Sequence, residues 1–373
     1  MSKTKIIDAS RIEYGDILAF HPGCYLKELI DDMEITQDEF AKRVGTSPKH
    51  LSNVLAGSAS LSENLAMKLS IMLGTSAGLW LNLQAKYEEK CIEIEEEKKL
   101  EEEKEYAKMI QYKYFAALGA VPEERRVTEK IKNLCKYFKI SSLSLLSQEH
   151  FLVDFRNNIE NPNIKNRVNS NAWLQTAINI GKEIDVAPYD KKKLESKIPE
   201  IRTMTIKDPQ VFYPRLNGIF KSCGVAFVTL PHLPSSGIHG AVKWYNDQKV
   251  LLAISDRLKS SDIFWFSLFH EIKHVLQRRK TMTIVTEDSM SQTGNLIRKL
   301  EAEADEFARE TLIPRGKYLE YVQSRIFTEQ SIKRFAEMID VHPGIVLGRL
   351  QKDEYVHYSK FNYLKTKYTI IFT

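Results

Sequence analysis

Between residues 21 and 86 the apolar residues recur at intervals of three or four, a pattern that predicts five short helices. Thr36 followed by Glu39 marks one helix start, because the two residues can form a capping box, and Gly45 ends that helix. Ser47-Pro48 begins the next helix, which stops at Gly57. Two short helices joined by a turn that contains glycine are typical of the helix-turn-helix motif.

The second helix of such a motif enters the major groove of DNA, so its outward residues are candidates for contact with bases and phosphates. The predicted DNA-binding residues of this helix are Ser47, Lys49, His50, Ser52 and Asn53, and the basic residues Lys42 and Arg43 of the preceding helix are added to them. The alternative is a small helical bundle with a merely polar surface. Residues 1–87 carry nine Lys and Arg against ten Asp and Glu, a balance that favours the alternative, because phosphate binding usually needs a basic domain.

Several strings in this region resemble the HigA-type antitoxin branch of the Xre-like helix-turn-helix regulators. They are His21-Pro22-Gly23, Leu26-Lys27-Glu28, Thr36-Gln37, Phe40-Ala41, Ser47-Pro48, Leu51-Ser52, Thr75 and Leu79-Trp80-Leu81-Asn82-Leu83-Gln84. The resemblance covers most of residues 16–87. It implies a regulator that binds a double-stranded DNA operator, usually as a homodimer, and often represses its own operon. An antitoxin role would add a cognate toxin as partner.

Residues 88–105 consist almost wholly of glutamate and lysine, with four basic against ten acidic residues. Good helix formers with few apolar positions predict a solvated helix that joins two domains. A coiled coil is the weaker alternative, because no apolar heptad is sustained. Residues 106–205 show several apolar helical stripes and no motif that carries chemistry, so we interpret them as a helical spacer.

After Asp208-Pro209 the pattern changes to a mixture of helix and strand. Residues 212–223 predict a helix ended by glycine, and residues 225–230 are an apolar run typical of a buried strand. Residues 241–244 and 250–254 form a pair that resembles a hairpin. A further helix then starts near residues 260–262. We therefore expect a small sheet packed on helices.

The sequence His270-Glu271-Ile272-Lys273-His274 lies on that further helix. At 3.6 residues per turn the two histidines share one face, with Glu271 beside them. Two such imidazoles can hold Zn²⁺, and Glu271 is the predicted catalytic base, which takes a proton from water whose pKa the metal lowers. A structural histidine pair is the alternative. For the oxyanion the sequence offers only guesses, His239 and Tyr245.

Zinc sites of this type need a third protein ligand, and residues 300–308 offer two glutamates. Glu301 and Asp305 lie one turn apart on the apolar face of the predicted helix, whereas Glu303 lies on a face with no apolar partner. We therefore predict His270, His274 and Glu301 as the metal ligands. Asp305 is predicted to accept a hydrogen bond from a ligand histidine and to fix its tautomer.

The same region resembles the ImmA/IrrE family of zinc metallopeptidases. The matching strings are Asp262-Ile263-Phe264-Trp265-Phe266, Phe269-His270-Glu271 with His274, Glu301 with Glu303-Ala304-Asp305, Phe307-Ala308, Leu312-Ile313-Pro314, Phe335-Ala336 and Val341-His342-Pro343-Gly344-Ile345-Val346 with Gly348-Arg349-Leu350-Gln351. Coverage is roughly residues 206–367. The resemblance implies a zincin-like fold and a protein that either cleaves a transcriptional repressor or is fused to one. Ile272-Lys273 departs from the small residues common there, and helical spacing directs the lysine away from the metal.

Residues 328–349 could be mistaken for a second helix-turn-helix, since His342-Pro343-Gly344 repeats the His21-Pro22-Gly23 string. We interpret the repeat as a shared helix-start signal and the segment as part of the peptidase module. A second DNA-binding motif is the weaker alternative.

Composition adds three expectations. No apolar run approaches the roughly 18 residues of a membrane span, so we expect a cytoplasmic protein with no membrane partner. Four cysteines without a CxxC pair predict reduced thiols rather than disulfides. The net charge of the whole chain is +5. Residues 106–373 carry 41 basic against 29 acidic residues, so the positive charge arises from this part of the chain.

The expected fold is mainly α with a small α+β module. Its predicted parts are a five-helix helix-turn-helix domain (1–87), a charged helical linker (88–108), a helical middle region (109–205) and a zincin-like metallopeptidase domain with a small β-sheet (206–373). The favoured function is an antitoxin-type transcriptional regulator whose zinc domain cleaves a regulatory protein. The alternatives are a repressor or antitoxin with a non-catalytic metal domain, and a protease that the first domain only targets.

Overall fold

The computed structural model describes residues 4–8, 10–148, 163–278 and 289–368. The chain forms two compact units, the head unit (Met1–Lys104) and the body unit (Glu105–Thr373). Within the described residues no helix is both long and apolar enough to cross a membrane.

The head unit contains a three-stranded sheet followed by the predicted five helices. Its elements are β1 (Thr4–Asp8), β2 (Arg11–Tyr14), β3 (Ile17–Phe20), α1 (Pro22–Asp32), α2 (Gln37–Val44), α3 (Pro48–Leu55), α4 (Glu63–Leu73) and most of α5 (Ala77–Met109), whose last residues belong to the body unit. Helices α1 to α4 and the start of α5 surround a core that includes Phe40, Leu51, Leu65 and Trp80. The helix-turn-helix prediction is confirmed, and α2 and α3 are its two helices.

Local capping explains where α2 and α3 begin and end. Oγ1 of Thr36 accepts a hydrogen bond from the backbone N–H of Glu39, and Oγ of Ser47 accepts one from His50 N–H. The predicted capping box forms only in part, because the Glu39 carboxylate pairs with Arg43 instead. Gly45 ends α2 with a left-handed backbone, φ +68°, which glycine adopts without steric cost.

The sheet of the head unit was not predicted, and it corrects the description of the charged linker. Strands β1, β2 and β3 form an antiparallel meander. Tyr14 and Ala19 of this sheet pack against Ile94 of α5, which is only 3% exposed. The helix predicted over residues 88–105 is confirmed, but it is not solvated on all sides, because the sheet covers one of its faces.

The body unit surrounds a second sheet of three strands. Its elements are α6 (Tyr112–Ala117), α7 (Val127–Phe138), α8 (Ile164–Glu183), α9 (Lys191–Thr203), α10 (Pro209–Ser222), β4 (Val225–Leu230), β5 (Gly240–Asn246), β6 (Lys249–Ser255), α11 (Ser261–Gln277), α12 (Ser289–Leu312), α13 (Arg315–Gln323), α14 (Glu329–Met338) and α15 (Pro343–Lys352). The strand order is β4-β6-β5, with β4 parallel and β5 antiparallel to β6. The predicted strands and the predicted start of α11 are confirmed.

Helices cover both faces of this sheet. Helix α8 lies so close to one face that a Cβ atom on Gly181 would stand 2.6 Å from Leu251 Cδ1. On the other face a Cβ atom on Gly240 would stand 2.6 Å from Glu271 Cγ of α11. Helix α8 falls in the stretch that we interpreted as a spacer, yet it packs directly on β4 and β6.

The segment that resembled a second helix-turn-helix belongs to the body core. Helix α15 is buried on most of its surface and packs on α11 as well as on α14. Gly348 of α15 has no space for a side chain, because a Cβ atom would stand 2.3 Å from Asp262 Oδ2. A helix enclosed in this way has no free face for the DNA major groove, so the alternative of a second DNA-binding motif is wrong.

Candidate metal centre and helix-turn-helix surface

Three side chains from two helices converge at one point of the body unit. His270 Nε2 lies 3.0 Å from His274 Nε2, and both belong to α11. Glu301 Oε2 of α12 lies 3.3 Å from the first of these nitrogens and 3.5 Å from the second. Among the residues that the structure describes, this is the one His, Cys, Asp and Glu cluster compact enough to hold a metal ion.

The spacing of the three atoms fits Zn²⁺. Ligand bonds of 2.0 to 2.1 Å in a tetrahedron place neighbouring ligand atoms about 3.3 Å apart. The three separations of 3.0, 3.3 and 3.5 Å lie close to that value. Two imidazoles and one carboxylate also leave a fourth position free, which is the arrangement of catalytic rather than structural zinc sites.

The helix pair explains how these residues meet. Helices α11 and α12 pack along one another, with Phe269 and Ile272 of α11 and Ala304 and Ala308 of α12 fully buried. Glu301 is 6% exposed and faces the histidines. Glu303 instead accepts a hydrogen bond from Gln277 Nε2 at 3.3 Å.

Burial and mutual charge shift the pKa values of the cluster. Burial opposes the charged form of His270, but its hydrogen bonds to Asp305 and Glu301 outweigh burial and raise its pKa to about 10. Burial likewise opposes the charged form of Glu301, yet the neighbouring His270 and His274 side chains lower its pKa well below the usual range. The metal-free site therefore holds a proton on His270 that a metal ion would displace.

Glu271 of α11 is buried on the side of that helix that faces strand β5. Burial raises the pKa of Glu271, although His270 and His274 partly offset the rise. The carboxylate lies against the Gly240 backbone, since a Cβ atom there would stand 2.7 Å from Glu271 Oε1. A buried carboxylate with a raised pKa, beside a candidate metal position, is suited to take up and release a proton.

Each histidine of the cluster has its own hydrogen-bond acceptor. His270 Nδ1 lies 2.9 Å from Asp305 Oδ1, and Arg309 approaches the other oxygen of that carboxylate at 3.8 Å. His274 Nδ1 lies 2.9 Å from Gln277 Oε1. Sequence reasoning did not single out Gln277. Its position three residues after His274, on the same helical face, was the signal that could have indicated it.

Neither oxyanion candidate faces Glu271. The Tyr245 hydroxyl donates to the Ile178 carbonyl of α8 at 2.6 Å, so it lies on the opposite face of the sheet. His239 precedes Gly240 by one position, and the alternation of side chains directs it to that same opposite face. There His239 Nε2 lies 3.0 Å from Arg257 Nη1. These contacts therefore support neither guess.

The predicted DNA-binding residues lie on α2, at the N-cap of α3 and on α3. Lys42, Arg43, Ser47, Lys49, Ser52 and Asn53 are exposed, and His50 is half-buried. Two of these side chains already have partners within the head, because Arg43 pairs with Glu39 and Ser47 caps α3. Among these described residues, the exposed polar side chains without such a partner are those of Lys42, Lys49, Ser52 and Asn53.

Comparison with known proteins gives two family matches and a relative. Residues 26–80 match the family described as Helix-turn-helix, and residues 228–350 match the IrrE N-terminal-like domain. Over 63 residues the chain is 38% identical to the uncharacterised HTH-type transcriptional regulator YddM of Escherichia coli (strain K12), covering 17% of this chain and 67% of that protein. The chain belongs to the HTH-type transcriptional regulators.

A solved structure is also similar to part of this regulator. It is the crystal structure of a proposed antidote protein of a plasmid maintenance system from Nostoc punctiforme PCC 73102, at 30% sequence identity. The match covers 22% of this chain and 92% of that chain, with a TM-score of 0.22. The two family matches instead give a DNA-binding helix-turn-helix head followed by a body that contains an IrrE N-terminal-like domain, and the cluster of His270, His274 and Glu301 falls within the matched part of that body.

Proposed function

We propose that this regulator binds a double-stranded DNA operator as an antitoxin-type homodimer and that its body is a zinc metalloendopeptidase acting on a regulatory protein. One observation supports the peptidase part above all others. Three metal-ligand atoms converge beside the buried Glu271, in the same chain as a DNA-binding head. Because the operator is chromosomal DNA in this proposal, we place the protein in the cytoplasm.

His270, His274 and Glu301 would hold the metal, and Asp305 would orient His270. When bound, zinc would lower the pKa of a water molecule and polarise the substrate carbonyl. Glu271 takes the proton from the attacking water and gives it to the leaving amide nitrogen, so that one peptide bond breaks and one water is consumed. The close approach of Gly240 keeps Glu271 beside the metal position.

Metal analysis and peptidase assays on matched variants test the site. We expect one zinc per chain in the wild type and in Glu271→Gln, but loss of zinc in Glu301→Gln. Cleavage of a peptide library should be lost in both variants, because one lacks the base and the other lacks the metal. Equal cleavage by wild type and Glu271→Gln would contradict the peptidase role.

Footprinting on the DNA upstream of the regulator's own gene tests the operator role. We expect protection by the wild type and weaker protection by Ser52→Ala and Asn53→Ala, because these exposed side chains lie on the second helix of the motif. A matched control is Ser70→Ala on α4, outside the helix-turn-helix pair. Protection that is equal in all four proteins would contradict the assigned surface.

A second candidate function is a regulator that neutralises a toxin by binding alone, with a metal domain that does not catalyse. The exposed apolar residues of α4 favour a protein partner for the head, since Met67 and Ile71 lie one turn apart and are 56% and 80% exposed. Light scattering of the Ile71→Asp variant measures whether that partner is a second copy of the chain. A shift from dimer to monomer would indicate that these residues form the homodimer interface rather than a toxin-binding surface.

A further inference from the structure

Gln277 occupies a position between the two helices that build the metal centre. It is the last residue of α11, and its side chain is half-buried. Its amide contacts three groups: His274 Nδ1 at 2.9 Å, the Leu300 carbonyl at 3.1 Å and Glu303 Oε2 at 3.3 Å. Leu300 is the residue directly before Glu301. The Gln277 amide therefore joins the proposed ligand His274 to the backbone next to the proposed ligand Glu301.

The chemistry of these contacts fixes which end of the amide faces which group. The Leu300 carbonyl and the Glu303 carboxylate can only accept hydrogen bonds, so the NH₂ end of Gln277 must point toward them. The carbonyl end then faces His274 Nδ1. Because an amide oxygen only accepts, Nδ1 of His274 must carry the hydrogen, and the lone pair of the neutral ring lies on Nε2.

We propose that Gln277 is a positioning residue that holds His274 in the tautomer whose Nε2 faces the metal position. The inference rests on the proposed zinc site and deepens it. The two candidate ligand histidines are then oriented by residues of different helices, one on α12 and one on α11. Asp305 contacts His270 directly, whereas Gln277 reaches His274 while bonded to the α12 backbone next to Glu301. Partners of this kind typically change metal affinity 10- to 100-fold.

Glutamine suits this position because it combines an acceptor and a donor in one planar group. A glutamate at position 277 would keep the acceptor toward His274 but lose the donor toward Leu300 and repel Glu303. A methionine would keep the volume but lose both functions. The pair Gln277→Glu with Glu303→Gln keeps the acceptor at His274 and restores an amide donor nearby. These variants distinguish two roles of Gln277: orienting the His274 ring, and merely connecting α11 to α12.

Zinc affinity of the full chain, measured by competition with a chromophoric chelator, is the first test. We expect Gln277→Met to bind zinc at least about 10-fold more weakly than the wild type, and the Gln277→Glu/Glu303→Gln pair to stay within about 3-fold of it. Gln323→Met, the same change on the exposed end of α13, should bind like the wild type. Melting temperatures of the metal-free proteins check that each variant folds.

Unchanged affinity in Gln277→Met would overturn the proposal. Equal loss in Gln277→Met and in the exchanged pair would also overturn it, because attachment of the helices would then explain the effect. Failure of the zinc site itself gives a different result: the wild type would bind no more zinc than Glu301→Gln. That outcome removes the proposed function and this inference together.

Imidazole nitrogen NMR of the metal-free wild type gives a second test that needs no substitution at Gln277. Protein labelled with ¹⁵N-histidine, compared with His274→Gln for assignment, should show His274 with its hydrogen on Nδ1. A neutral His274 with its hydrogen on Nε2 would overturn the proposal, because Gln277 would then not set the tautomer that metal binding requires.

Discussion

Glu271 and Gly240 form a contact that leaves no room for a side chain on the strand. A Cβ atom at position 240 would lie 2.6 Å from Glu271 Cγ and 2.7 Å from its Oε1. Gly240→Ala should therefore push the carboxylate away from the metal position. We expect peptide cleavage to fall by about 10- to 100-fold, since a catalytic group displaced by about 1 Å loses that much rate, with zinc binding unchanged.

Gly218→Ala is the matched control for that prediction. Gly218 lies within α10, and nothing stands within 4 Å of where its Cβ would be. The substitution should leave cleavage unchanged and raise the free energy of unfolding by about 0.5 to 1 kcal/mol, because alanine has the higher helix propensity. Full activity in Gly240→Ala would show that the contact does not position Glu271.

The metal-free body unit should lose stability as pH rises above neutrality. The pKa of His270 is about 10 in the folded protein and about 6.5 in an unfolded chain. Its contribution is therefore fully present below pH 6.5 and is lost as pH rises through about 10. Chelator-treated protein, followed by fluorescence of the body tryptophans, should show a falling free energy of unfolding over this range.

Asp305→Asn provides the comparison, because the Asp305 hydrogen bond is the strongest influence that raises the pKa of His270. The variant should show a shallower fall with pH than the wild type. Added zinc should reverse the trend, since binding displaces the proton and grows stronger as pH rises. Equal pH dependence in the two metal-free proteins would contradict the assigned pairing.

At the scale of elements, Arg202 of α9 joins the ends of two helices. Its guanidinium donates to the Thr311 and Leu312 carbonyls at the end of α12 and to the Ile339 and Asp340 carbonyls after α14. Carbonyls at helix ends have no partner within the helix. Arg202→Ala should lower the free energy of unfolding by about 2 to 3 kcal/mol, measured by urea denaturation.

Arg215→Ala is the control for Arg202. Arg215 forms a surface ion pair with Glu200, and its side chain is 65% exposed. Exposed ion pairs contribute at most about 1 kcal/mol, so this variant should unfold almost like the wild type. If both alanine variants had the same small effect, the bonds of Arg202 to the helix ends would not stabilise the body.

The elements that could be predicted from sequence are those whose ends are encoded by neighbouring residues. The caps Thr36 and Ser47 mark α2 and α3, and the apolar run of β4 marks a buried strand. The strands β1, β2 and β3 were missed, because short strands with mixed polarity depend on partners elsewhere in the chain. Ile94 shows the same dependence, since its burial comes from packing against that sheet.

At the scale of the whole molecule, charge separates the two units. The predicted DNA surface offers only Lys42, Arg43 and Lys49 as cations, whereas residues 106–373 carry the basic excess. If the head alone binds DNA, the logarithm of operator affinity should fall with the logarithm of salt concentration with a slope no steeper than about −3 per head. Titrations of the full chain at several KCl concentrations measure that slope.

Lys49→Gln should make the slope shallower by about 1 per head, because one phosphate contact is lost. Lys352→Gln, at the exposed end of α15 in the body, should leave it unchanged. A slope much steeper than about −6 for a dimer, or one that Lys352→Gln alters, would show that the body also contacts phosphates.

The sequence by itself determined the helix-turn-helix head, the strands β4, β5 and β6, and the candidate metal-binding residues. These features depend on periodicity and spacing along single elements. Only the tertiary structure decided which groups support that cluster. Gln277 bonds to the Leu300 carbonyl 23 positions away, and Gly240 of strand β5 meets Glu271 of helix α11. The tertiary structure also buries α15 within the body unit and directs Tyr245 to the face of the sheet opposite Glu271. Such contacts depend on how elements pack, and no local pattern encodes that packing.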